Sequence, residues 1–116
     1  MIKGIGLDIV EIARVQKIAE RQPKFIQRIL TQNEQSYYLQ LSNRRKIEYL
    51  AGRFSLKEAF AKAYGTGIGE ELSFTDIETD YNDKGKPIIK KPFGKGVHLS
   101  VTHSQDYVAT QVIIEE

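Results

Sequence analysis

Two distant carboxylates, Asp8 and Glu58, are the residues of this sequence with the clearest capacity for chemistry. Glu58 falls on the apolar face predicted for a helix, four residues after Phe54 and three before Ala61. Burying an unpaired carboxylate is costly, so this position favours a cation, such as a metal ion, beside Glu58. The alternative is an ordinary surface ion pair with Lys62, four residues further along the helix.

Asp8 follows an apolar, glycine-rich stretch, where a carboxylate can also serve simply as a turn or as a cap for the next helix. Together with Glu58, it supplies hard oxygen ligands in a chain that contains no cysteine. Magnesium in proteins is typically held by one or two carboxylates, while waters and substrate phosphates complete its ligands. The two acids therefore predict a magnesium site that takes a phosphate-bearing substrate.

The first half of the chain must supply the elements that position these acids. Residues 2–9 alternate between glycine and aliphatic side chains, which predicts a strand that another segment approaches closely at Gly4 and Gly6. Helical spacing begins at Ile12, and Pro23 predicts a kink or a restart of that helix.

Two further helices are predicted before the spacing of apolar residues changes from helical to strand-like. Thr31 and Glu34 have the spacing of a capping box for a short helix through Leu39. Residues 47–64 are rich in strong helix formers, and Gly65 follows them where a left-handed C-terminal cap belongs. This second helix carries Glu58.

Beyond this helix, the apolar residues alternate with period two, which is typical of strands. The predicted strands cover residues 72–81, 87–91, 97–103 and 107–114. This order predicts an α+β fold in which a small antiparallel sheet packs against a long central helix and shorter helices. At 116 residues, we expect one domain over residues 1–116.

Composition narrows the class of protein. Apolar residues make up 41% of the sequence and charged residues 28%, a balance that excludes a disordered chain. No segment has the roughly 18 unbroken apolar residues of a membrane span, so we expect a cytoplasmic protein without membrane association. Residues 14–62 carry eleven Lys and Arg against four acids, which favours an acidic partner such as a nucleic acid, a polyphosphate ligand or an acidic protein.

Six sequence blocks, in order over nearly the whole chain, match the pattern of a known family. The two longest contain the two acids: GIGLDIVEIARV at 4–15 and YLAGRFSLKEAFAKAYGTGIG at 49–69. The others are RILTQNE at 28–34, LSFTDIE at 72–78, GKP at 85–87 and VHLSVTHS at 97–104. In these blocks the chain resembles the holo-acyl-carrier-protein synthases. It departs from them mildly, at Leu56, where the family often has alanine, and in the variable residues 89–96.

The resemblance implies an enzyme of fatty acid biosynthesis that moves the 4′-phosphopantetheine arm of coenzyme A onto a serine of acyl carrier protein. It also implies that Asp8 and Glu58 bind Mg²⁺, which bridges the pyrophosphate of coenzyme A. Lys62 is predicted to contact the phosphate and the departing oxygen, although a solvated lysine fits its spacing equally well. The general base is left open between Glu58 and a metal-bound water.

Six residues are predicted to bind coenzyme A: Arg45, Arg53, Lys62, Gly65, Thr66 and His103. The GTGIG segment at 65–69 lacks the Lys and Ser or Thr that complete a phosphate loop, so we interpret it as a helix stop and a flexible turn. His103 continues the apolar alternation of its strand, which is typical of a packed, hydrogen-bonded histidine. The resemblance implies that it lies near the nucleotide end of coenzyme A.

A mixed basic and apolar stripe on the first helix is predicted to bind an acidic partner, which the resemblance implies is acyl carrier protein. Its members follow one another at spacings of four, three, four and three, provided that Pro23 does not break the register: Arg14, Ile18, Arg21, Phe25 and Arg28. Such a stripe suits an acidic amphipathic helix, because guanidinium groups pair with carboxylates and apolar side chains fill the gaps.

Two other functions fit parts of the sequence. A nucleic-acid-binding module would use Arg44, Arg45, Lys46 and Arg53, but no recognition motif accompanies them, so no nucleic acid partner is expected. A catalytically silent carrier-protein-binding domain would keep only the partner surface. The resemblance further implies a homotrimer with active sites between subunits, since so small a chain could hardly enclose coenzyme A alone.

Overall fold

A long helix runs through the centre of the molecule, and the other elements pack around it. The structure, a computed structural model, describes residues 1–116. In chain order, the elements are β1 (Ile2–Glu11), α1 (Ile12–Arg21), α2 (Lys24–Ile29), α3 (Gln32–Leu39), α4 (Asn43–Tyr64), a 3₁₀-helix (Phe74–Asp76), β2 (Glu78–Tyr81), β3 (Pro87–Lys91), β4 (Val97–His103) and β5 (Tyr107–Glu115). No helix combines the length and the apolar character that crossing a membrane requires.

The strands form two antiparallel sheets. The larger sheet has the order β1-β5-β4, and β2 and β3 form a separate pair. The β4–β5 hairpin predicted from the sequence is confirmed, and in the larger sheet Asp8 of β1 stands opposite Thr110 of β5. The sheets and helices together confirm the predicted α+β class.

Strand β1 crosses α4 at two glycines. A Cβ atom at Gly4 would overlap the carbonyl oxygen of Ala63, and one at Gly6 would overlap that of Ala59. Only glycine lets the two backbones approach this closely. The close approach predicted at these glycines is therefore confirmed, and it brings Asp8, two residues further along β1, towards the next turn of α4.

Helix α4 is buried on several sides, and not only along one apolar stripe. Leu50 and Ala51, in its first half, pack in one apolar cluster with residues of α1 and α2, while Leu56 and Phe60 pack in a second cluster with residues of β3 and β5. Twelve of its 22 residues are buried, and Lys57 is among them. The helix therefore serves as the common support of both sheets and the smaller helices.

Several predicted boundaries shift. The chain restarts its helix after Pro23, because Gln22 leaves helical angles at φ −128° and ψ 84°. The single strand predicted over residues 72–81 is wrong in its first part, where Ser73 and Asp76 form a capping box around the 3₁₀-helix. Strand β2 begins only at Glu78. The capping box of Thr31 and Glu34 is confirmed.

Candidate active site

Asp8 and Lys62 meet where β1 crosses α4. The Lys62 Nζ atom donates to the Asp8 Oδ1 atom at 3.2 Å and to the carbonyl oxygen of Leu7 at 3.0 Å. The Asp8 side chain is 14% exposed and that of Lys62 is 50% exposed. Lys62 thus pairs with Asp8 on the neighbouring strand, and no ion pair joins it to Glu58, so the alternative of a surface pair along the helix does not hold.

Glu58 is half-buried one turn before Lys62 on α4. Burial raises the pKa of Glu58 above its usual value, the negative charge of Asp8 raises it further, and the positive charge of Lys62 opposes the shift. The two carboxylates are therefore close enough to repel each other. A cation between them would relieve that repulsion.

The donor set at this point suits a hard metal ion. Asp8 and Glu58 offer carboxylate oxygens, while no group of three or more His, Cys, Asp or Glu residues gathers anywhere in the chain. Two carboxylates with free positions for water and substrate oxygens are the arrangement in which magnesium is usually bound. The residues present fit Mg²⁺ better than zinc, which prefers nitrogen and sulfur ligands.

Arg53 forms a second polar site, on another face of α4. It is only 4% exposed, its Nε and Nη2 atoms have no hydrogen-bond partner, and no carboxylate lies within ion-pair distance. The guanidinium instead lies over the rings of Tyr49 and Tyr81, at 4.5 and 5.1 Å from their centroids. A buried guanidinium without an acid partner is a ready anion-binding group.

Arg53 lines a cavity of about 280 Å³ together with Arg45 and His103. Glu48 brings the one carboxylate of the lining; the remaining residues are Tyr37, Leu41, Tyr49, Gly52, Tyr81 and Val101. His103 pairs with Val108 in the strand ladder, but its side chain is exposed at the end of β4 and forms no hydrogen bond, so the expectation of a packed, hydrogen-bonded histidine is wrong. Three residues predicted to bind coenzyme A therefore share one cavity.

The other residues predicted to bind coenzyme A lie at the far end of α4. Gly65 caps the helix with φ 107°, and the Thr66 hydroxyl donates to the carbonyl oxygen of Gly67 at 2.8 Å. Arg53 and Lys62 are nine residues apart on one helix, which places them about 180° apart around its axis and about 13 Å apart along it. One chain thus presents its predicted coenzyme A residues on opposite faces of α4.

The predicted carrier-protein stripe is not continuous. Helix α1 ends at Arg21 and α2 begins at Lys24, which breaks the register at Pro23. Phe25 is 9% exposed and packs on Phe54 with ring centroids 5.9 Å apart, so it belongs to the core. Ile18 is half-buried, and the three basic members of the stripe are exposed: Arg14, Arg21 and Arg28.

The structure does not support the alternative of a nucleic-acid-binding surface. Arg44 and Arg45 are exposed, but Arg53 is buried and cannot reach a duplex that lies on the surface. The basic residues predicted for that function therefore do not form one exposed patch.

Sequence reasoning missed two groups beside these sites. The first is the buried ion pair of Lys57 and Glu34, whose spacing in sequence gives no sign of their contact. The second is the pair of rings around Arg53. Tyr49, four residues before Arg53 on the same helix, could have been found from spacing, whereas Tyr81 comes from another element.

Comparison with known families matches residues 4–112 to the model of the 4′-phosphopantetheinyl transferase superfamily. The chain belongs to this superfamily. The transferase is 58% identical over 117 residues to the holo-[acyl-carrier-protein] synthase of Bacillus pumilus, across 99% of this chain and 97% of the relative. It is 54% identical over 117 residues to that of Bacillus subtilis, with 99% and 97% of the two chains covered. The resemblance found in the sequence blocks is confirmed.

Solved structures of holo-acyl-carrier-protein synthases have the same fold as this chain. A holo-(acyl-carrier-protein) synthase from Bacillus anthracis, in complex with CoA (3′,5′-ADP), superposes with a TM-score of 0.89 at 46% identity over 98% of this chain and 96% of that one. The Helicobacter pylori synthase in complex with coenzyme A gives a TM-score of 0.82 at 34% identity over 96% and 99%.

Proposed function

We propose that this transferase moves 4′-phosphopantetheine from coenzyme A to a serine of acyl carrier protein, and so converts apo to holo carrier protein. The observation that carries the proposal is the meeting of Asp8, Glu58 and Lys62 in a chain related along its length to holo-acyl-carrier-protein synthases. The serine oxygen bonds to the phosphorus next to pantetheine. The bond from that phosphorus to the bridging oxygen of the pyrophosphate breaks, and adenosine 3′,5′-bisphosphate leaves.

The cofactor that we propose for this reaction is Mg²⁺, held by Asp8 and Glu58. When bound, Mg²⁺ would neutralise and orient the phosphates of coenzyme A. The support is the donor chemistry: two carboxylates that repel each other, with no complete protein cage around them.

Lys62 and Glu58 are the side chains we assign to the reacting atoms. The hydrogen bond from Lys62 to the carbonyl oxygen of Leu7 holds its ammonium at the site, where it would stabilise charge on the departing oxygen. We assign the proton of the attacking serine to Glu58 or to a metal-bound water, the two bases that the site would offer.

We assign the nucleotide end of coenzyme A to the cavity of Arg45, Arg53 and His103. Support comes from the two free nitrogens of Arg53, which leave a buried cation without an anion. Gly65 and Thr66, just beyond Lys62, would lie along the same ligand with their backbone exposed. Because these two groups lie on opposite faces of α4, one coenzyme A would use groups from neighbouring chains.

A homotrimer with active sites between subunits follows from that proposal. The outer face of the larger sheet supports an assembly, because β1 directs Ile5, Leu7 and Ile9 outward, each more than half exposed. Contiguous apolar side chains of this size on a solvent-facing strand mark an interaction surface.

For acyl carrier protein, we propose the exposed basic side of α1 and α2. Arg14, Arg21 and Arg28 would pair with acidic side chains of the partner, while Ile18 supplies an apolar contact and Phe25 supports the surface from the core. A chain without cysteine suits the reducing cytoplasm, where we place this reaction.

The activity is tested by incubating the protein with coenzyme A, MgCl₂ and apo acyl carrier protein, followed by mass spectrometry of the carrier. We expect a gain of one phosphopantetheinyl group, and its loss with Asp8→Asn or Glu58→Gln. Asp83→Asn, in an exposed turn, should behave as wild type. If the carrier protein is bound but gains no mass, the chain is a silent binding domain and the proposal fails.

The assembly is tested separately by sedimentation. Leu7→Lys, at the centre of the exposed β1 face, should give monomers because it buries a charge in the interface. Leu39→Lys is the matched control, since Leu39 is 70% exposed but lies on α3. A monomeric wild-type protein would overturn the trimer.

A further inference from the structure

We propose that Tyr49 and Tyr81 are positioning residues, which hold the guanidinium of Arg53 against their rings and so prepare it to bind a phosphate of the nucleotide. The inference rests on the proposed function in one respect, that the nucleotide is coenzyme A or the adenosine 3′,5′-bisphosphate released from it.

The geometry joins three elements at Arg53. Tyr49 precedes Arg53 by four residues on α4, which places both side chains on one face of the helix. Tyr81 reaches the guanidinium from the end of β2, with its ring centroid 5.1 Å away. Tyr37 of α3 contacts both rings, with centroids 5.0 Å from Tyr49 and 5.4 Å from Tyr81. The rings are themselves held in place.

The rings compensate the charge of Arg53 without neutralising it. Burial raises the pKa of Tyr49 to about 12 and also raises the pKa of Tyr81, so both phenols stay protonated at neutral pH. A cation over a neutral aromatic ring is stabilised by the ring quadrupole. A carboxylate in the same place would form an ion pair and would occupy the nitrogens that a phosphate needs.

The buried acid that acts on this cluster, Glu34, is committed elsewhere, and Glu48 of the cavity lining forms no ion pair with Arg53. Glu34 lies close enough to affect the pKa of Tyr49, but its Oε1 atom accepts from Lys57 at 2.5 Å and its Oε2 atom accepts from Thr79 at 2.6 Å. The charge of Arg53 therefore remains available in the cavity that it shares with Arg45 and His103.

The test measures binding of adenosine 3′,5′-bisphosphate to the full chain by titration calorimetry. Tyr81→Leu and Tyr49→Leu should each weaken binding about fivefold to twentyfold, because they remove the ring face, whereas Tyr81→Phe and Tyr49→Phe should stay within about twofold of wild type. In the transfer assay, the leucine variants should raise KM for coenzyme A and leave kcat nearly unchanged.

A double-mutant cycle separates positioning from general stability. If the rings act through Arg53, Tyr81→Leu should have little further effect on nucleotide binding in an Arg53→Ala background. An undiminished effect there, or a phenylalanine variant as weak as the leucine variant, would overturn the inference. Should the leucine variants unfold, replacing Tyr81 by a trifluorinated phenylalanine tests the same ring face with nearly the same shape, and unchanged affinity would contradict it.

The binding assay also keeps this inference separate from the proposed function. If wild-type protein binds the nucleotide and the variants weaken it as expected, the positioning role stands even where no carrier protein is modified. If the carrier is modified normally but the leucine variants bind as wild type, only the positioning role fails.

Discussion

At the scale of single residues, the buried ammonium of Lys57 ties the chain together beside the candidate site. Its Nζ atom donates to the carbonyl oxygens of Ile29 at 2.6 Å and Phe74 at 3.1 Å, and to the Glu34 Oε1 atom at 2.5 Å. Burial lowers the pKa of Lys57, and the charge of Glu34 opposes this shift. Because each donor has an acceptor, the buried charge is fully satisfied, and the residue before Glu58 is fixed.

Removing that ammonium should destabilise the protein strongly. Lys57→Met would leave the Glu34 carboxylate and two carbonyl groups buried without their donor, so we expect the free energy of unfolding to fall by about 3–5 kcal/mol. Denaturant unfolding followed by circular dichroism measures the change. Lys17→Met, at an exposed position of α1, should change it by less than about 0.5 kcal/mol. A comparable effect in the two variants would mean that the buried pair adds nothing.

Residue types alone predicted the surroundings of some side chains and missed those of others. The proximity of Asp8 and Glu58 could be predicted because an acid in an apolar setting is unusual in any sequence, whereas their role as metal ligands stays a prediction. Lys57 could not, since a lysine in a helix with other charged residues is ordinarily solvated. Its burial depends on α2, α3 and the 3₁₀-helix converging on α4, which is set by tertiary packing rather than by local pattern.

At the scale of elements, the crossing of β1 and α4 decides where Asp8 stands. Gly4 and Gly6 face the helix, and Asp8 follows them on the same side of the strand. Thr110, opposite Asp8 in the sheet, shares a hydrogen bond of 2.8 Å with Ser55 of α4. The strand is therefore fixed against the helix at several consecutive positions.

A side chain at the crossing should break that arrangement. Gly6→Ala places a methyl group on the carbonyl oxygen of Ala59, so the strand must move away, and we expect a loss of about 2 kcal/mol or more in the free energy of unfolding. Gly52→Ala is the matched control: its methyl group meets nothing within 4 Å, and alanine should stabilise the interior of α4 by about 0.5–1 kcal/mol. Equal stability of Gly6→Ala and wild type in thermal melting would contradict the crossing.

Glu78 fastens the small sheet to α3 and should make that attachment sensitive to acid. The hydrogen bond from the Thr31 hydroxyl, at 2.6 Å, is the main cause that lowers the pKa of Glu78 below 4.5, and Asn33 adds to it. A carboxyl group with a lowered folded pKa contributes stability that is complete above its usual pKa and is lost as pH falls through the folded value.

Glu78→Gln should accordingly flatten the acid dependence of stability. We expect the variant to be less stable than wild type near neutral pH, and the difference to shrink as pH falls through the region below 4.5. Urea midpoints measured across this range give the comparison, with Asp83→Asn as an exposed control. A difference that stays constant with pH would show that Glu78 does not act through its charge.

The limits of sequence reasoning at this scale are clear at residues 72–81. Alternating apolar residues predict one strand there, but Ser73 and Asp76 cap each other across a 3₁₀ turn, and the backbone nitrogen of Ser73 donates to the Asp76 Oδ2 atom at 2.9 Å. Local hydrogen bonds of this kind compete with a strand ladder. The Ser-x-x-Asp spacing was visible in the sequence, whereas the absence of a partner strand for these residues was not.

At the scale of the whole molecule, the two halves of the proposed site face different ways. Asp8, Glu58 and Lys62 lie where α4 meets β1, and Arg53 lies about half a turn around the helix in its own cavity. The exposed side chains of β1 lie on the opposite face of the strand from Asp8, so a copy of the chain packed there would have to reach past this edge of the sheet to bring its own Arg53 to the first group. That the chain forms one domain, and that three copies assemble, stay predictions.

Shared sites make a further prediction about mixtures of inactive variants. If each site takes Glu58 from one chain and Arg53 from its neighbour, mixed trimers of Glu58→Gln and Arg53→Ala contain intact sites that neither variant has alone. Refolding the two together in equal amounts should restore about a quarter of wild-type activity, since both native groups meet at random in that fraction of interfaces. The assay is run at a coenzyme A concentration too low for Arg53→Ala to work.

The control mixture pairs Glu58→Gln with Asp8→Asn, two changes in the same half of the site. Their mixed trimers should regain nothing, because every interface then lacks one of the two carboxylates that sit in a single chain. Restoration in the first mixture and not in the second requires that the Arg53 cavity and the carboxylates act across a subunit boundary. If neither mixture gains activity although mass analysis detects mixed trimers, each chain must bind coenzyme A on its own, and the ligand must then wrap around α4 from one face to the other.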